Sequence, residues 1–373
     1  MDFNLSDEQK MLVSGAERYV RERCSVEARR QASATADGFS RQHLAQFAEM
    51  GWLALPLPED AGGYGAEISD LALLMEQLGH GVIAEPIVDT AVLCATLLAH
   101  SSNAEVRANI LERVATGECL LALAHVEGNG RSEFETEVNC RATKTAQGWT
   151  LQGEKHLVFF GNSANYWLVS ARIDDSAGFG IFLVDAHSAG ATVNAYPLID
   201  GTRAADIRFA NVALPASALL LSGADATAAL EDAVNRSILA LSAAAVGSME
   251  AVMKMTADYL KTRVQYGQPL ANFQSLQHRM AEMLVESEQA RSMLYRAIAA
   301  MEENDRDYRR RAIAGAKALI SKSGLFVTGQ GIQLHGGIGA TDELATSHHY
   351  KVMVAYSKRF GDVAFNLQRA AQH

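Results

Sequence analysis

The spacing of apolar residues changes twice along this chain, and the change restricts the folds it can adopt. Up to about residue 119 the apolar side chains recur at helical spacing, after a capping-box pattern at Ser6 and Gln9. Strand-like alternation then begins, most clearly over residues 206–212, and helical spacing returns near residue 224. The pattern predicts a multidomain α+β protein with a helical segment 1–119, a β segment 120–222 and a helical segment 223–373.

Length and charge exclude several classes of protein. At 373 residues the chain is long enough for two or three packed units. A net charge of -10 argues against a nucleic-acid-binding surface. The four cysteines are scattered without metal-ligand spacing, which predicts small buried side chains in a reducing compartment. No signal peptide and no apolar run long enough to span a membrane is evident, so we expect a cytoplasmic protein.

Two glycine-containing stretches in the C-terminal segment indicate a ligand. Residues 330–339 interrupt a helical pattern with four glycines, among them the adjacent Gly336 and Gly337. Adjacent glycines leave backbone N–H groups uncovered, and such groups suit a pyrophosphate. Upstream, residues 259–269 place an arginine, an aromatic residue and a glycine between two helical patterns. Either stretch alone is also compatible with an ordinary helix end.

Together the two stretches resemble the acyl-CoA dehydrogenase family of flavoproteins, in which an R-x-x-F-G turn and a Q-x-x-G-G turn hold the adenosine and pyrophosphate end of FAD. A P-E-x-x-G-G-x-G loop at residues 58–65 also matches, and the resemblance covers the full length. It implies an N-terminal helical domain, a central β-barrel, a C-terminal four-helix bundle and FAD as the cofactor. The positions that it assigns to the cofactor are Arg263, Gln265, Tyr266, Gln333, His335, Gly336 and Gly337.

The same resemblance identifies a missing catalytic group. In this family a carboxylate base removes the α-proton of an acyl-CoA thioester, while the β-hydrogen leaves as hydride to the flavin. The usual glutamate precedes a glycine, but here Phe360 precedes Gly361. The second position that the family uses holds Asn235 or Ser237, depending on the alignment. The base is therefore unidentified.

Two nearby carboxylates are weaker candidates for a displaced base. They are Asp362 and Glu343, and acidic residues near helix starts are favoured for capping alone.

The segment expected to face the flavin ring is altered as well. A W-I-T strand contacts the isoalloxazine in the family, and here Leu157 and Phe159 replace its tryptophan and threonine. The preceding T-E-P-x-x-x-S-D loop is retained only in part, with Glu127 and with Ser132, a weak candidate for substrate binding. Adjacent phenylalanines at 159 and 160 favour filling a pocket over lining one.

The motifs that this chain retains and those that it has lost belong to different subunits of a family dimer, in which two subunits share each FAD. One subunit supplies the ring-facing strand and the base, and its neighbour supplies the arginine turn and the glycine turn. The chain is thus similar to the small subunit of heteromeric acyl-CoA dehydrogenases, such as the one in pimeloyl-CoA dehydrogenase. The resemblance implies α,β-dehydrogenation of an acyl-CoA in fatty-acid, dicarboxylic-acid or steroid side-chain degradation. It also implies a homo- or hetero-oligomer with a second acyl-CoA dehydrogenase-type subunit, and an electron-transfer flavoprotein or similar acceptor.

Two other functions remain open from the sequence. One is a flavin-dependent monooxygenase or oxidase on the same fold, in which the base is dispensable. The other is a non-catalytic structural subunit that binds neither flavin nor CoA. The acyl chain and the electron acceptor are not encoded in any pattern that we identify.

Overall fold

A computed structural model of the chain describes residues 4–128, 132–173 and 178–372. The predicted order of helices, strands and helices is confirmed. Two compact units form: one comprises Met1–Gln31, Ile68–Ile83 and Ile238–His373, and the other Ala32–Glu67 and Ala84–Ser237. The division into 1–119, 120–222 and 223–373 stays a prediction about sequence order.

The helices before the sheet are mostly short. They are α1 (Asp7–Arg23), α2 (Val26–Ala34), α3 (Arg41–Glu49), α4 (Ile68–His80), α5 (Ala95–Ala99), which continues a π-helical segment (Ile87–Cys94), and α6 (Ala104–Ala115). The capping box at the start of α1 is confirmed. Ser6 Oγ accepts from the Gln9 amide at 3.1 Å, and Gln9 Oε1 accepts from the Ser6 amide at 3.0 Å.

The β segment forms one mixed sheet of eight strands. They are β1 (Leu121–Ala124), β2 (Arg141–Thr145), β3 (Gly148–Phe159), β4 (Tyr166–Ile173), β5 (Phe179–Asp185), β6 (Ala191–Pro197), β7 (Arg203–Pro215) and β8 (Leu219–Ser222). Their order is β6-β7-β3-β2-β4-β5-β8, and β1 pairs with β4 in parallel.

The alternation predicted for β7 holds over most of the strand. Ile207 and Phe209 are buried and Arg208 is exposed between them. A register shift opposite Gly153 then places Asn211 at φ 56° and returns Val212 to the buried side. The shift is a β-bulge, which explains why strict alternation ends there.

The C-terminal helices are longer, and α9 packs against three of the others. They are α7 (Gly223–Thr262), α8 (Gln274–Ala300), α9 (Arg306–His335), α10 (Ala345–Lys358) and α11 (Val363–Ala371). Helix α9 contacts α8, α10 and α11. Helix α7 is long and apolar enough to cross a membrane by length and composition alone. However, 61% of its most apolar stretch is buried inside the protein, as in a core helix.

Helices α4 and α7 approach each other at backbone distance. A Cβ built on Gly247 would lie 1.9 Å from the carbonyl oxygen of Glu76, and one on Gly79 would lie 2.1 Å from that of Ala244. Arg291 of α8 joins the same pair of helices, because its guanidinium bonds Glu76 at 2.5 Å and Glu250 at 3.0 Å. Gly247 and Gly79 are therefore required by the close contact of the two helices.

The cysteines agree with their predicted structural role. Cys94, Cys119 and Cys140 are buried and Cys24 is half-buried, and none of the four forms a disulfide within the described residues. Burial raises the pKa of the Cys119 and Cys140 thiols to about 11. Among the described residues no group of histidine, cysteine and acidic side chains is placed to hold a metal ion.

Candidate cofactor site

The turn that contains Arg263 follows the end of α7. A two-stranded hairpin, β9 (Val264–Gln265) and β10 (Gln268–Pro269), forms the turn. The Arg263 amide donates to the Tyr259 carbonyl at 2.8 Å, and its carbonyl accepts from the Leu270 amide at 2.8 Å. Within the described part of the chain, the Arg263 guanidinium is exposed and has no hydrogen-bond or ion-pair partner. The backbone is thus held while the cation is left available.

Tyr266 lies at the tip of this hairpin, beside Gln265. Its side chain is 91% exposed, and its backbone has φ 54°. A positive φ is uncommon for an aromatic residue, and an exposed ring contributes little to stability. The nearest aromatic ring, that of Phe273, packs edge-on with centroids 6.2 Å apart. The position is typical of a side chain that contacts another molecule.

Three glycines at the end of α9 differ in the reason for which glycine is needed. Gly331 lies inside the helix, where a Cβ would meet Val252 of α7 at 2.3 Å. Gly336 ends the helix with φ 69° and ψ -148°, a backbone conformation that is essentially restricted to glycine. Gly337 has neither reason to be glycine, because no heavy atom lies within 4 Å of a Cβ built there. Both Gly336 and Gly337 are exposed, together with Gln333.

A stacked pair of rings joins the arginine turn to the glycine stretch. Tyr259 of α7 and His335 of α9 lie with centroids 4.6 Å apart and an interplanar angle of 28°. His335 is buried, and its Nδ1 lies 2.7 Å from the carbonyl oxygen of Gly331. Because a carbonyl only accepts, Nδ1 carries a proton and a neutral ring leaves Nε2 as an acceptor. His335 can therefore donate to a phosphate only as an imidazolium.

Phe360 fills the position that the resemblance assigns to a base. Its side chain is 1% exposed, with the Arg359 guanidinium 4.8 Å from the ring centroid. The loop is fixed by Asn366, whose Nδ2 donates to the carbonyls of Phe360 and Gly361 at 3.2 and 2.9 Å. This arrangement packs an apolar ring and offers no group that could accept a proton.

The two weaker candidates for the base lie on the surface. Asp362 is the N-cap of α11, and its Oδ1 accepts from the Phe365 amide at 2.9 Å. Glu343 lies in the exposed turn before α10. Asn235 and Ser237 are both buried in α7, and the Ser237 hydroxyl donates to the Ala233 carbonyl at 2.8 Å. A catalytic role for either carboxylate stays a prediction.

Strand β3 is broken where the resemblance places contacts to a flavin ring. The register against β7 shifts between Lys155 and Val158, and Leu157 adopts φ 52° with 40% of its side chain exposed. The Leu157 amide donates to Oδ1 of Asp206 at 3.2 Å. Phe160 turns inward and packs edge-on against Phe39 with centroids 5.8 Å apart. The N–H of Leu157 is therefore already used within the chain.

A buried polar network beneath this break was not predicted from the sequence. The Lys155 ammonium is fully buried and donates to Glu127 at 2.6 Å and to Ser170 Oγ at 2.8 Å. Burial alone would raise the pKa of Glu127, but the Lys155 cation together with the amides of Asn139 and Cys140 outweighs it and holds that pKa below its usual value. The network fixes the loop at Glu127 against β3. Ser132, the weak candidate on the same loop, is buried.

The network also sets the tautomer of His125. Its Nε2 lies 2.8 Å from the carbonyl oxygen of Glu135 and must donate, so Nδ1 accepts from Ser170 Oγ at 2.9 Å. Burial and the nearby Lys155 cation lower the pKa of His125 to about 4. The folded protein therefore keeps this ring neutral.

We expect acid to destabilise the protein through His125. The unfolded ring gains a proton near pH 6.5 and the folded ring only near its lowered pKa, so its contribution is complete above pH 6.5 and falls below it. Between pH 7.5 and 5.5 the loss is on the order of 1 kcal/mol. Urea unfolding at both pH values should show a smaller loss for His125→Gln than for the unaltered protein. Equal losses would contradict the assignment.

The described residues fit one end of FAD and not the other. The available Arg263 cation, the exposed Tyr266 ring and the exposed backbone at Gly337 suit a pyrophosphate and an adenine. At the broken strand, by contrast, the Leu157 N–H is bonded to a carboxylate. The surface around Arg263 therefore has the chemistry expected of an adenosine-end site, and the backbone at Leu157 does not offer a free N–H to a flavin ring.

Comparison with known proteins places both ends of the chain in one family. Residues 6–118 match the model of the acyl-CoA dehydrogenase N-terminal domain, and residues 227–368 match that of the C-terminal domain. Among characterised sequences, the probable acyl-CoA dehydrogenase YngJ of Bacillus subtilis (strain 168) is 26% identical over 352 residues. The match covers 92% of this chain and 91% of that protein.

Solved structures agree over nearly the whole length. A chain of the structure described as the Tcur3481-Tcur3483 steroid ACAD is 30% identical with a TM-score of 0.87, covering 98% of this chain and 96% of that one. The FAD complex of PigA is 25% identical with a TM-score of 0.89, covering 100% of this chain and 98% of that one.

Proposed function

Because this chain belongs to the acyl-CoA dehydrogenase family of FAD-dependent oxidoreductases that act on CH–CH groups, we propose that it is the subunit lacking the base in a heteromeric acyl-CoA dehydrogenase. In this proposal it binds the adenosine and pyrophosphate end of a FAD whose ring lies in a partner subunit of the same fold. The partner supplies the glutamate base and the ring-facing strand. The complex dehydrogenates an acyl-CoA thioester at its α and β carbons.

The observation that carries the proposal is the exposed Arg263–Tyr266 turn. Its cation has no hydrogen-bond or ion-pair partner within the described part of the chain, and its aromatic ring is 91% exposed, although the backbone around them is hydrogen-bonded in place. The neighbouring Gly337 is glycine without a steric reason inside the chain. A ligand that approaches the turn from outside accounts for all three features.

Each residue of this turn has a distinct task in the proposed complex. FAD supplies the hydride acceptor when it is bound. The Arg263 guanidinium donates charge-assisted hydrogen bonds to the pyrophosphate, and the amide of the exposed Gly337 donates to the same group. The Gly336 amide is not used in this way, because it already donates to the Gln333 carbonyl. Tyr266 offers a ring face to the adenine, and Gln265 and Gln333 border the site. His335 holds the two segments together through its stacking on Tyr259.

A role for a second chain is supported by what this chain lacks. Phe360 cannot take a proton, and Asp206 engages the N–H of Leu157. The 30%-identical structure is described by a pair of names, Tcur3481-Tcur3483, as a steroid ACAD, and we infer a two-chain assembly here by that likeness. An electron-transfer flavoprotein or similar acceptor would reoxidise the complex. The proposal does not specify the identity of the acyl group of the substrate.

Restoring a carboxylate at Phe360 tests whether the missing base is the only defect. We expect Phe360→Glu, purified alone and supplied with FAD, to remain inactive with acyl-CoA and an artificial electron acceptor. One general base accounts for about 10²–10⁴ in rate, and it does not rebuild the strand at Leu157. The measurement is acyl-CoA-dependent reduction of the acceptor, with Phe360→Leu as the control for loss of the buried ring.

Turnover by Phe360→Glu alone at about 1 s⁻¹ or faster, an ordinary enzyme rate, would contradict the proposed defect in the ring-facing strand. The same assay separates the other functions. A complex that reduces oxygen rapidly after flavin reduction would favour a monooxygenase or oxidase. A complex whose activity and flavin content do not depend on this chain would favour a structural subunit.

A further inference from the structure

The carboxylate of Asp206 accepts a hydrogen bond from the backbone N–H at the break in β3. Its Oδ1 accepts from the Leu157 amide at 3.2 Å and from the Tyr196 hydroxyl at 2.9 Å. Its Oδ2 lies 3.4 Å from Nδ1 of His156. Three groups therefore hold the Asp206 carboxylate at this position: two from the bulge in β3 and one from β6.

The backbone around this carboxylate is shaped to keep the contact. The bulge between Lys155 and Val158 turns the Leu157 amide out of the ladder, so it has no strand partner. The His156 amide is also used, because it donates to the Val126 carbonyl at 2.9 Å. Asp206 thus provides an acceptor for the Leu157 N–H, which the bulge would otherwise leave without one.

The ionisation of these groups strengthens the arrangement. Burial alone would raise the pKa of Asp206, but hydrogen bonds from Tyr196 and Leu157 outweigh it and hold that pKa below its usual value. The same contact raises the pKa of Tyr196 to about 12 through burial and the Asp206 charge, so its hydroxyl remains a donor. At neutral pH the acceptor is charged, and a hydrogen bond to a charged acceptor is about twice as strong as one to a neutral carbonyl.

We propose that Asp206 is the residue that excludes a flavin ring from this subunit's own β-sheet. The resemblance to the family implies that a flavin ring would contact the backbone of this strand, and the pyrimidine edge of a flavin presents neutral carbonyl acceptors. Such a carbonyl would have to displace a carboxylate and then lie beside its negative charge. Asp206 is therefore a specificity-determining residue, because it directs the ring to the partner subunit. This inference rests on the proposed function.

Riboflavin tests the inference, because it carries the flavin ring without the adenosine and pyrophosphate that Arg263 would bind. Fluorescence titration of the full chain should show no measurable riboflavin binding for the unaltered protein. Asp206→Ala should bind at least about tenfold more tightly, because one donor is released and one repulsive charge is removed. Asp185→Ala is the matched control, because Asp185 caps an exposed turn of the same unit by accepting from the His187 amide.

A second measurement reports the contact itself. Hydrogen exchange at the Leu157 amide should accelerate at least about tenfold in Asp206→Ala and remain unchanged in Asp185→Ala. Riboflavin binding by the unaltered chain as tight as by Asp206→Ala would overturn the inference and the proposed division of the FAD site together. Failure of both proteins to bind riboflavin, or unchanged exchange at Leu157, would overturn only the role of Asp206.

Discussion

Replacing Arg263 by alanine is expected to release FAD from the assembled complex while the subunits remain associated. The guanidinium has no partner among the described residues of its own chain, so its loss leaves no buried charge behind. Charge-assisted hydrogen bonds to a phosphate contribute about 1.5–3 kcal/mol, which corresponds to a loss of FAD affinity of about ten- to a hundredfold. Equilibrium dialysis of FAD, combined with sizing by light scattering, measures both parts of the result.

Lys261→Ala provides the matched control for Arg263→Ala. Lys261 is an exposed cation in the last turn of α7, two residues before Arg263. Its loss changes the local charge equally without removing the proposed phosphate ligand. Arg263→Lys should retain part of the affinity, because it keeps the charge but not the planar fork. Unchanged FAD binding by Arg263→Ala would show that the turn does not hold the cofactor.

Gly247→Ala is expected to destabilise the protein by about 3 kcal/mol, at the upper end of the cost of overpacking. The new Cβ would lie 1.9 Å from the carbonyl oxygen of Glu76, and a backbone oxygen cannot rotate away. Helices α4 and α7 must then separate, which also strains the bonds of Arg291 to Glu76 and Glu250. Urea unfolding gives the change in the free energy of unfolding.

The control for this substitution is Gly15→Ala in helix α1. No heavy atom lies within 4 Å of a Cβ built on Gly15, so alanine should stabilise the protein by about 0.5–1 kcal/mol through helix propensity. Opposite signs at the two positions would establish the close contact of α4 and α7. A neutral effect at Gly247 would mean that the helices can move apart freely.

Local patterns predicted the fold well, because their causes lie within a few residues. The capping box joins Ser6 and Gln9 over three positions, and both of its hydrogen bonds form. Alternation along β7 follows from the two faces of a strand and ends at the bulge near Asn211. A bulge depends on which strand lies alongside, so alternation in one strand could not locate it.

The site was predictable where it consists of turns, and not where it depends on distant contacts. The segments around Arg263 and Gly337 have glycine and aromatic patterns of their own. By contrast, Lys155 meets Glu127 across 28 positions and Leu157 meets Asp206 across 49. Only the pairing of β3 with β7 brings Asp206 to the bulge, so its carboxylate had no recognisable pattern in the sequence.

The flavin content of this chain, purified alone and together with its partner, tests the central claim most directly. We expect the isolated chain to hold little FAD and not to oxidise an acyl-CoA, because the N–H of Leu157 is already bonded and Phe360 cannot act as a base. Co-expressed with the chain that supplies the glutamate, it should purify as a yellow complex whose FAD depends on Arg263. One FAD per isolated chain, with unaided oxidation of an acyl-CoA, would contradict the account.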